Sequence, residues 1–301
     1  MALDKIHIVT DSTSDLSRQL LDANITIVPL KVYLGDKEYL DNIDITPKEF
    51  CHKIKTQGLS PQTSQPAPGD FLRVYNKLKE QGKHKVISIH LSSKLSGTVQ
   101  SAIIASKLIE GLEIRVVDSQ SASLGLGFLC LAASRYLKEM IDFNQIIERI
   151  ETDKLGIEAY FTLGSLEYLE KGGRIGKARA FLGKLFGFKP ILTVVDGEIQ
   201  PVARVSGDFH MAIVHMAKLI KEKIEAKKDL RFLGVVHSCV EREAQILVRL
   251  LKKDFRDAEV SACRSNSAKN HNSRHIEIAV SELGCVLGSH VGPEAIGVVA
   301  L

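Results

Sequence analysis

The first half of the chain alternates short β-branched runs with stretches of helical periodicity. Continuous apolar runs such as "IHIVTDS", "ITIVPLKVYL", "KVISIHL" and "IRVVDS" are typical of strands buried on both faces of a parallel sheet. Helices are predicted in "DLSRQLLDA", "TPKEFCHKIKTQ", "DFLRVYNKLKEQG" and "TVQSAIIASKLIEG", the second of them capped by Thr46 with Pro47 at its first position. Strands separated by helices in this way predict a Rossmann-like, mostly parallel α/β sheet.

The pattern changes after a helical stretch at residues 122–154. A strand at "IEAYFTL" and a helical insert near residues 165–187 precede a predicted β-hairpin, whose turn is Asp196 and Gly197. An amphipathic helix over residues 208–228, a further helix at "EREAQILVRLLKKDF" and several short strands complete an α+β half. We therefore predict two domains, an N-terminal α/β domain at residues 1–154 and a C-terminal α+β domain at residues 155–301.

Composition is that of an ordinary globular protein. Of 301 residues, 45% are hydrophobic and 25% charged, and 40 Lys and Arg against 36 Asp and Glu leave a mildly basic chain that does not by itself predict nucleic-acid binding. The longest stretch without charge, residues 119–134, is too short to span a bilayer. Charges at Asp4, Lys5 and Asp11 argue against an export signal, so a cytoplasmic location is expected.

The cysteines are five in number and form no CxxC pair. An odd count without paired spacing, in a protein expected in the cytoplasm, predicts reduced thiols packed in the interior. The five positions are Cys51, Cys130, Cys239, Cys263 and Cys285.

Two hydroxyl-rich loops follow predicted strands, "VTDSTSD" near the N-terminus and "HLSSKLSGT" later. Ligands of parallel sheets bind beyond the carboxyl ends of the strands, so Ser12, Ser93, Ser96 and the amides near Gly97 are predicted to meet in one crevice. The positive end of the helix that begins at Thr98 would favour an anion there. Helix capping is the competing interpretation, and it suffices for "DSTSD".

Familiar catalytic motifs do not fit. "GGRIGKA" lacks the spacing and the final hydroxyl of a nucleotide-binding P-loop, and no GxGxxG follows the first strand. "GSHVG" places His290 where a hydrolase nucleophile would stand, although a dyad of Ser96 and His290 stays open. His271 and His275, with Cys263 upstream, are interpreted as exposed histidines, and no metal site is predicted.

The segment "KGGRIGKARAFLGKLFGFK", residues 171–189, holds six basic residues and no acidic one. Its aromatic and leucine residues lie among the charges. A solvated face, transient contact with a membrane surface and docking of an acidic partner all remain open for it, whereas nucleic acid is not predicted.

Six segments together resemble the DegV family of bacterial proteins. In chain order they are "VTDSTSDL", "TSQPAPGDF", "LSSKLSGTVQSA", "VVDSQSASLGLG", "GSLEYLEKGGRIGKARAFLGKLFGFKPIL" and "GSHVGPEAIGV". The resemblance implies two domains with a tunnel at their interface that holds one long-chain fatty acid. It also implies a partner, an ATP-dependent fatty acid kinase subunit, to which the carboxylate is presented for conversion to an acyl phosphate.

The resemblance further implies roles for individual residues. Thr63, Ser64, His290 and the loop residues Ser93, Ser96 and Gly97 are expected to surround the carboxylate, with the choice between the two serines open. Arg174 and Arg204 resemble positions where the kinase docks. No catalysis and no cofactor are expected of this chain, only the bound fatty acid. A serine-dependent acyl hydrolase or transferase is the alternative, and a regulatory adaptor that uses the basic segment is a third hypothesis.

Overall fold

The computed structural model describes residues 5–181, 187–225, 227, 230–254, 260–261 and 278–301. Within these residues the strands are β1 (Ile6–Asp11), β2 (Ile25–Val28), β3 (Lys31–Leu34), β4 (Lys37–Leu40), β5 (Gln62–Ser64), β6 (Lys85–His90), β7 (Glu113–Asp118), β8 (Glu158–Leu163), β9 (Phe188–Val195), β10 (Glu198–Ser206), β11 (Leu233–Ser238), β12 (Val260–Ser261), β13 (Ile278–Glu282) and β14 (Ala295–Ala300). The helices are α1 (Pro47–Gln57), α2 (Pro68–Glu80), α3 (Thr98–Ser106), α4 (Leu124–Lys138), α5 (Phe143–Asp153), α6 (Glu167–Lys171), α7 (Phe209–Glu225), α8 (Glu241–Asp254) and α9 (Cys285–Val291).

The N-terminal sheet has the strand order β2-β1-β6-β7, and all its neighbours pair in parallel. Helices α2 and α3 bury Phe71, Tyr75 and Ala102 against one face of it, and α4 covers the other face. A parallel sheet covered by helices on both faces confirms the predicted α/β class. The carboxyl ends of β1 and β6 lie side by side, since these two strands are neighbours in the sheet.

The C-terminal sheet is mixed, with the order β10-β9-β8-β14-β11-β13-β12. Asp196 and Gly197 form the predicted two-residue turn between β9 and β10, and both have the positive φ, 50° and 79°, that a type I′ turn requires. Helices α7 and α8 cover one face, and α4 packs between the other face and the N-terminal sheet. The predicted division at residue 154 falls in a 3₁₀ turn, Lys154–Gly156, between α5 and β8.

A third, small sheet of order β4-β3-β5 packs with α1. This sheet and α1 together are called the cover below. Phe50 and Ile54 of α1, with Val32 of β3, form a core with Cys285 and Val286 of α9. The sequence predicted one strand at residues 25–34, but the chain leaves the parallel sheet at Pro29. Proline has no amide hydrogen for a sheet hydrogen bond and commonly ends a strand.

The helix predicted at residues 15–23 is wrong. The chain forms a 3₁₀ turn at Ser12–Ser14 and then adopts a left-handed conformation at Asp15, with φ of 49°. The Asp15 carboxylate accepts hydrogen bonds from Ser123 Oγ at 2.5 Å and from the amide of Gly284 at 2.8 Å. An aspartate that bonds to distant groups in this way competes with helix formation.

The prediction of reduced thiols is wrong for two of the five cysteines. Cys51 of α1 and Cys239, which follows β11, form a disulfide with Cα atoms 6.0 Å apart and a sequence separation of 188. Cys130 and Cys285 are free and buried, and Cys263 lies outside the described residues. A pair brought together from distant elements leaves no spacing signal in the sequence, because only the fold creates it.

Candidate functional site

A cavity of about 370 Å³ lies between the two large sheets, α9 and the cover. This volume is within the range of small-molecule sites, roughly 300–1,000 Å³. Most of its wall is apolar and includes Leu91, Phe161, Val194, Val236, Leu287 and Val299. A long apolar guest of small cross-section therefore matches the cavity better than a sugar or a nucleotide does.

One end of the cavity is polar. Thr63, Ser64 and Gln65 of the cover meet Ser96 from the loop after β6 and His290 from α9. Ser64 Oγ lies 3.3 Å from Tyr33 Oη. Three separate segments of the chain thus bring hydroxyl, amide and imidazole groups to one place, here called the polar end.

Thr63 and His290 form the central contact of the polar end. Thr63 Oγ1 lies 2.9 Å from His290 Nε2, which joins β5 to α9 across 227 residues of sequence. Burial, and after it the charge of Arg174, lowers the pKa of His290 to about 4. The imidazole is therefore neutral near pH 7 and can serve as donor or acceptor without adding charge.

Ser96 and Gly97 lie where the loop after β6 turns into α3. Ser96 Oγ is 2.9 Å from Thr98 Oγ1, and Ser96 lines the cavity. Gly97 is the residue before α3, and a Cβ there would lie 2.2 Å from Gln65 Oε1. The absence of a side chain at Gly97 lets Gln65 pack against the backbone and donate to Ser101 Oγ at 3.2 Å.

Ser12 and Ser93 do not line the cavity. Ser93 is exposed, and its hydroxyl donates to Asp118 Oδ2 at 2.5 Å. Ser12 is buried and accepts a hydrogen bond from the amide of Leu30 at 3.1 Å. Of the two loop serines left open by the sequence, the structure brings only Ser96 to the polar end.

Arg174 lies at the polar end, whereas Arg204 lies on the β9–β10 hairpin. Arg174 lines the cavity, and its guanidinium donates to the carbonyls of Leu95 at 3.0 Å and Gly172 at 2.7 Å. The guanidinium of Arg204 is 5.8 Å from the ring centre of Phe181 and 5.7 Å from that of Phe188, within cation–π range. Arg204 is solvent-exposed, so its charge is accessible from outside the molecule.

The basic segment is partly neutralised by partners. Lys171 pairs with Glu167 at 2.6 Å and Lys177 with Glu198 at 3.7 Å. Residues 182–186, which include Lys184 and three of its apolar residues, lie outside the described residues. No helix in the described part of the chain combines the length and apolar character needed to cross a membrane.

The dyad of Ser96 and His290 that the sequence left open receives no geometric support. The hydroxyl paired with His290 belongs to Thr63, and Nδ1 of His290 has no hydrogen-bond partner among the described residues, so a carboxylate that would orient a catalytic histidine is missing there. His271, His275 and Cys263 lie outside the described residues. Within the described ranges, no cluster of three His, Cys, Asp or Glu side chains is suited to a metal ion.

A buried chain of hydrogen bonds, which sequence reasoning missed, supports the loop of the polar end. His90 Nδ1 lies 3.0 Å from Asp11 Oδ2, and His90 Nε2 lies 2.7 Å from Ser88 Oγ. All three side chains are fully buried and do not line the cavity, so this Ser–His–Asp arrangement has no access to a substrate. Asp11 also accepts from the amide of Leu91, where the loop begins. This chain of hydrogen bonds therefore fixes the carboxyl ends of β1 and β6 relative to each other.

A polar groove of about 420 Å³ adjoins the polar end from outside. It shares Thr63, Arg174 and His290 with the cavity and is otherwise lined by the segment between α1 and β5 and by α6 residues such as Lys171. The groove and the polar end therefore meet at these three residues.

Comparison with known proteins gives a consistent result. A family model described as an uncharacterised protein of the DegV family matches residues 5–269. A DegV domain-containing protein of Staphylococcus aureus is 35% identical over 300 residues, 99% of each chain. A solved DegV family protein from Thermus thermophilus, described for its fatty acid binding, is 36% identical with a TM-score of 0.84 and covers 98% of this chain and 99% of its own. DegV from Bacillus subtilis, a fatty acid binding protein, is 30% identical with a TM-score of 0.85 and covers 98% of both chains.

Proposed function

This chain belongs to the DegV family, and on that premise we propose that it binds one long-chain fatty acid and presents the carboxylate to a separate ATP-dependent kinase. The observation that carries the proposal is an apolar cavity that ends in a cluster of neutral hydrogen-bonding groups. Structural relatives described as fatty acid binding proteins support the same ligand class.

The apolar wall accounts for affinity toward the tail. Each methylene removed from water contributes about 0.8 kcal/mol, so a chain of about sixteen carbons gains on the order of 10 kcal/mol before the costs of ordering it. A sugar or nucleotide would instead leave its polar groups without partners against this wall, which costs free energy. The tail is therefore the main source of affinity in the proposal.

The polar end accounts for the carboxylate. Thr63 Oγ1 has one hydrogen, and when it accepts from His290 Nε2–H that hydrogen is free to donate to the ligand. Ser96 and Gln65 also line the cavity and provide further donors. Hydrogen bonds to a charged acceptor are stronger than neutral ones, so these groups replace the water that the carboxylate loses.

The groove supports presentation to a partner. It reaches Thr63 and His290 from outside, so a kinase that carries ATP could approach the carboxylate without the fatty acid leaving the cavity. In this proposal Arg174 at the groove and Arg204 on the hairpin contact the kinase, and the chain performs no chemistry of its own. The cytoplasmic location stays a prediction that agrees with an intracellular kinase.

Ligand identity is tested by extraction. The purified protein should release fatty acid into organic solvent, and mass spectrometry should find about one fatty acid per chain.

Ser96→Ala and Thr63→Val should each weaken fatty acid binding by about 10- to 100-fold, since a hydrogen bond to a charged group contributes about 1.5–3 kcal/mol. Binding is measured by displacement of a fluorescent fatty acid.

Ser93→Ala is the matched control for Ser96→Ala. It removes the same atom three residues away in the same loop, but from an exposed side chain that bonds to Asp118. Retention should stay at the wild-type level. Equal losses in both serine variants, or a protein that carries no fatty acid, would contradict the proposed site.

The partner step is tested with Arg204→Ala. Because Arg204 lies outside the cavity, fatty acid binding should be unchanged while acyl phosphate formation by added kinase and ATP falls at least tenfold. Arg115→Ala, which removes an exposed arginine from β7, is the control. Normal phosphorylation with Arg204→Ala would remove the hairpin from the proposed interface.

A further inference from the structure

The disulfide joins the cover to the rest of the molecule. Cys51 lies on α1 within the cover, and Cys239 lies directly after β11 in the C-terminal sheet. Both residues are partly exposed, so small thiols and disulfides can reach the bond. Cys239 has a φ of 58°, a backbone conformation that a residue other than glycine rarely adopts. The disulfide is therefore made at a residue whose backbone lies in the left-handed region.

The bonded face of α1 leads to the groove. Cys51, Ile54 and Gly58 follow at spacings of three and four residues, which places them on one side of the helix and its end. Ile54 and Gly58 line the groove outside the polar end. Phe50, the residue before Cys51, packs on α9 so closely that a Cβ at Gly288 would lie 3.0 Å from its ring. The disulfide therefore holds the helix that borders the route to the polar end.

The cover also carries part of the polar end itself. Thr63 stands on β5 of the cover and His290 on α9, so any separation of the cover from α9 breaks their 2.9 Å contact. The cover meets α9 through apolar packing of α1 and through a few hydrogen bonds, such as that from the amide of Cys285 to Asp41 Oδ1 at 2.8 Å. Such non-covalent contacts permit local opening, whereas the covalent bond from α1 to Cys239 restricts it.

We propose that the Cys51–Cys239 disulfide is a redox-controlled latch on the cover. The oxidised disulfide holds the cover closed and slows fatty acid entry and exit, and reduction releases the cover. The proposal rests on the proposed function for its ligand. The reduced protein stays folded, because the core of the cover is unchanged, but its cover opens more often. Ligand exchange, and with it supply of the kinase, would then follow the thiol–disulfide balance of the surroundings.

The chemistry is ordinary thiol–disulfide exchange. To close the latch, the thiolate of one cysteine attacks an oxidised low-molecular-weight disulfide, and one thiol of that reagent leaves. The second cysteine then displaces the other thiol from the mixed disulfide, so the protein loses two electrons and two protons and the reagent gains them. A dithiol or a phosphine reductant reverses the change.

The buried thiols are not suited to this role. Cys130 and Cys285 are both fully buried, and burial raises the pKa of Cys130 to about 12 and also raises the pKa of Cys285. A thiol that stays protonated and inaccessible reacts slowly with disulfides. Of the cysteines in the described ranges, only the bonded pair combines partial exposure with a link to α1, the helix that borders the groove.

The test measures exchange in both redox states. Protein is oxidised with glutathione disulfide or reduced with a phosphine, and release of cis-parinaric acid into excess oleic acid is followed by stopped-flow fluorescence. Reduction should speed release at least about tenfold, since a disulfide restricts opening by several RT. Cys51→Ser and Cys239→Ser should release the probe at the fast rate in both conditions. Equal release rates in oxidised and reduced wild-type protein would overturn the latch.

Cys263→Ser is the control, because it removes a cysteine that is not part of the Cys51–Cys239 pair. It should keep the full redox response. Peptide mapping of the oxidised protein should find Cys51 linked to Cys239, and any other linkage overturns the assignment.

Hydrogen exchange at residues 47–64 separates this proposal from the proposed function. Reduction should speed exchange there and leave the amides of β1 and β6 unchanged. This result supports a releasable cover even in a protein that binds no fatty acid, whereas unchanged exchange in the cover overturns it.

Discussion

Asp15 is a buried carboxyl group in an unfavourable setting. It is 5% exposed and lies beside Asp41, which is 1% exposed, at the start of α9. Burial raises the pKa of Asp15 to about 8, and the charges of Asp41 and Asp11 add to the shift, while hydrogen bonds from Ser123 and Gly284 oppose it. Burial also raises the pKa of Asp41 to about 6. The N-terminus of α9, and through it His290, is thus held by groups that titrate near neutral pH.

We predict that Asp15→Asn removes the part of the loss of stability that Asp15 causes as the pH rises toward 8. Folded Asp15 keeps its proton to about pH 8, whereas an unfolded aspartate loses it near 3.8, so the free energy of unfolding falls as the pH rises between these values. The variant should gain about 3 kcal/mol relative to wild type between pH 6 and pH 9, because each pH unit up to the folded pKa costs about 1.4 kcal/mol. Urea unfolding at several pH values measures this, with the exposed Asp36→Asn as control. Parallel pH profiles for wild type and Asp15→Asn would contradict it.

Residue identity in the cavity could be predicted only in part. Thr63, Ser64, Ser96 and His290 were inferred from a family resemblance, and all four line the cavity. Ser93 and Ser96 could not be separated by sequence, because the partner of Ser93 is Asp118 at the end of a neighbouring strand. Gln65 was missed, since its position depends on the open backbone at Gly97. Contacts between distant segments therefore determine which of these side chains reach the cavity, and a single sequence does not reveal such contacts.

The β9–β10 hairpin connects the two large sheets at its tip. Ser92 Oγ, in the loop after β6, donates to the carbonyl of Gly197 at 2.7 Å. A Cβ at Gly197 would lie 2.3 Å from Ser92 Oγ, and its φ of 79° is unfavourable for other residues. The glycine therefore meets two demands, a turn conformation and a close approach to the loop that carries Ser96.

We predict that Gly197→Ala destabilises the protein by about 2–3 kcal/mol, about 1–2 from the left-handed backbone and the rest from displacing Ser92. Gly82→Ala is the matched control, because Gly82 has a φ of 78° but nothing within 4 Å of a Cβ. It should show only the backbone cost. Chemical unfolding gives both values, and equal losses would show that the contact with Ser92 contributes nothing.

Elements with a strong local signal could be predicted, and those defined by distant contacts could not. The capping box of Thr46 and Glu49 starts α1 where expected, and the Asp196–Gly197 turn sets the hairpin. The helix expected after β1 fails because Asp15 bonds to groups more than 100 residues away. The cover was not foreseen, since its three strands are only three or four residues long.

At the scale of the whole molecule, α4 joins the two large sheets into one unit. Nearly all its side chains are buried, and they belong to a core that contains Ile8 and Ile87 of one sheet and Leu192 and Val299 of the other. Phe128 of α4 stacks on Phe232 before β11 with ring centres 5.2 Å apart. The cavity borders this shared core, so a ligand in it would contact both large sheets and the cover at once.

The filled cavity should therefore stabilise the whole molecule in one step. We predict that removing lipid by organic extraction and refolding lowers the thermal midpoint, and that adding oleic acid at a hundred times its dissociation constant restores about 2.7 kcal/mol. Because α4 couples the two sheets, calorimetry should show a single transition that moves as a whole. Butyrate has the same carboxylate but few methylenes, so it should leave the midpoint unchanged if burial of the tail supplies the affinity. A shift of one of two separate transitions would mean that the ligand stabilises one domain only, and no shift with oleic acid would mean that the cavity does not hold it.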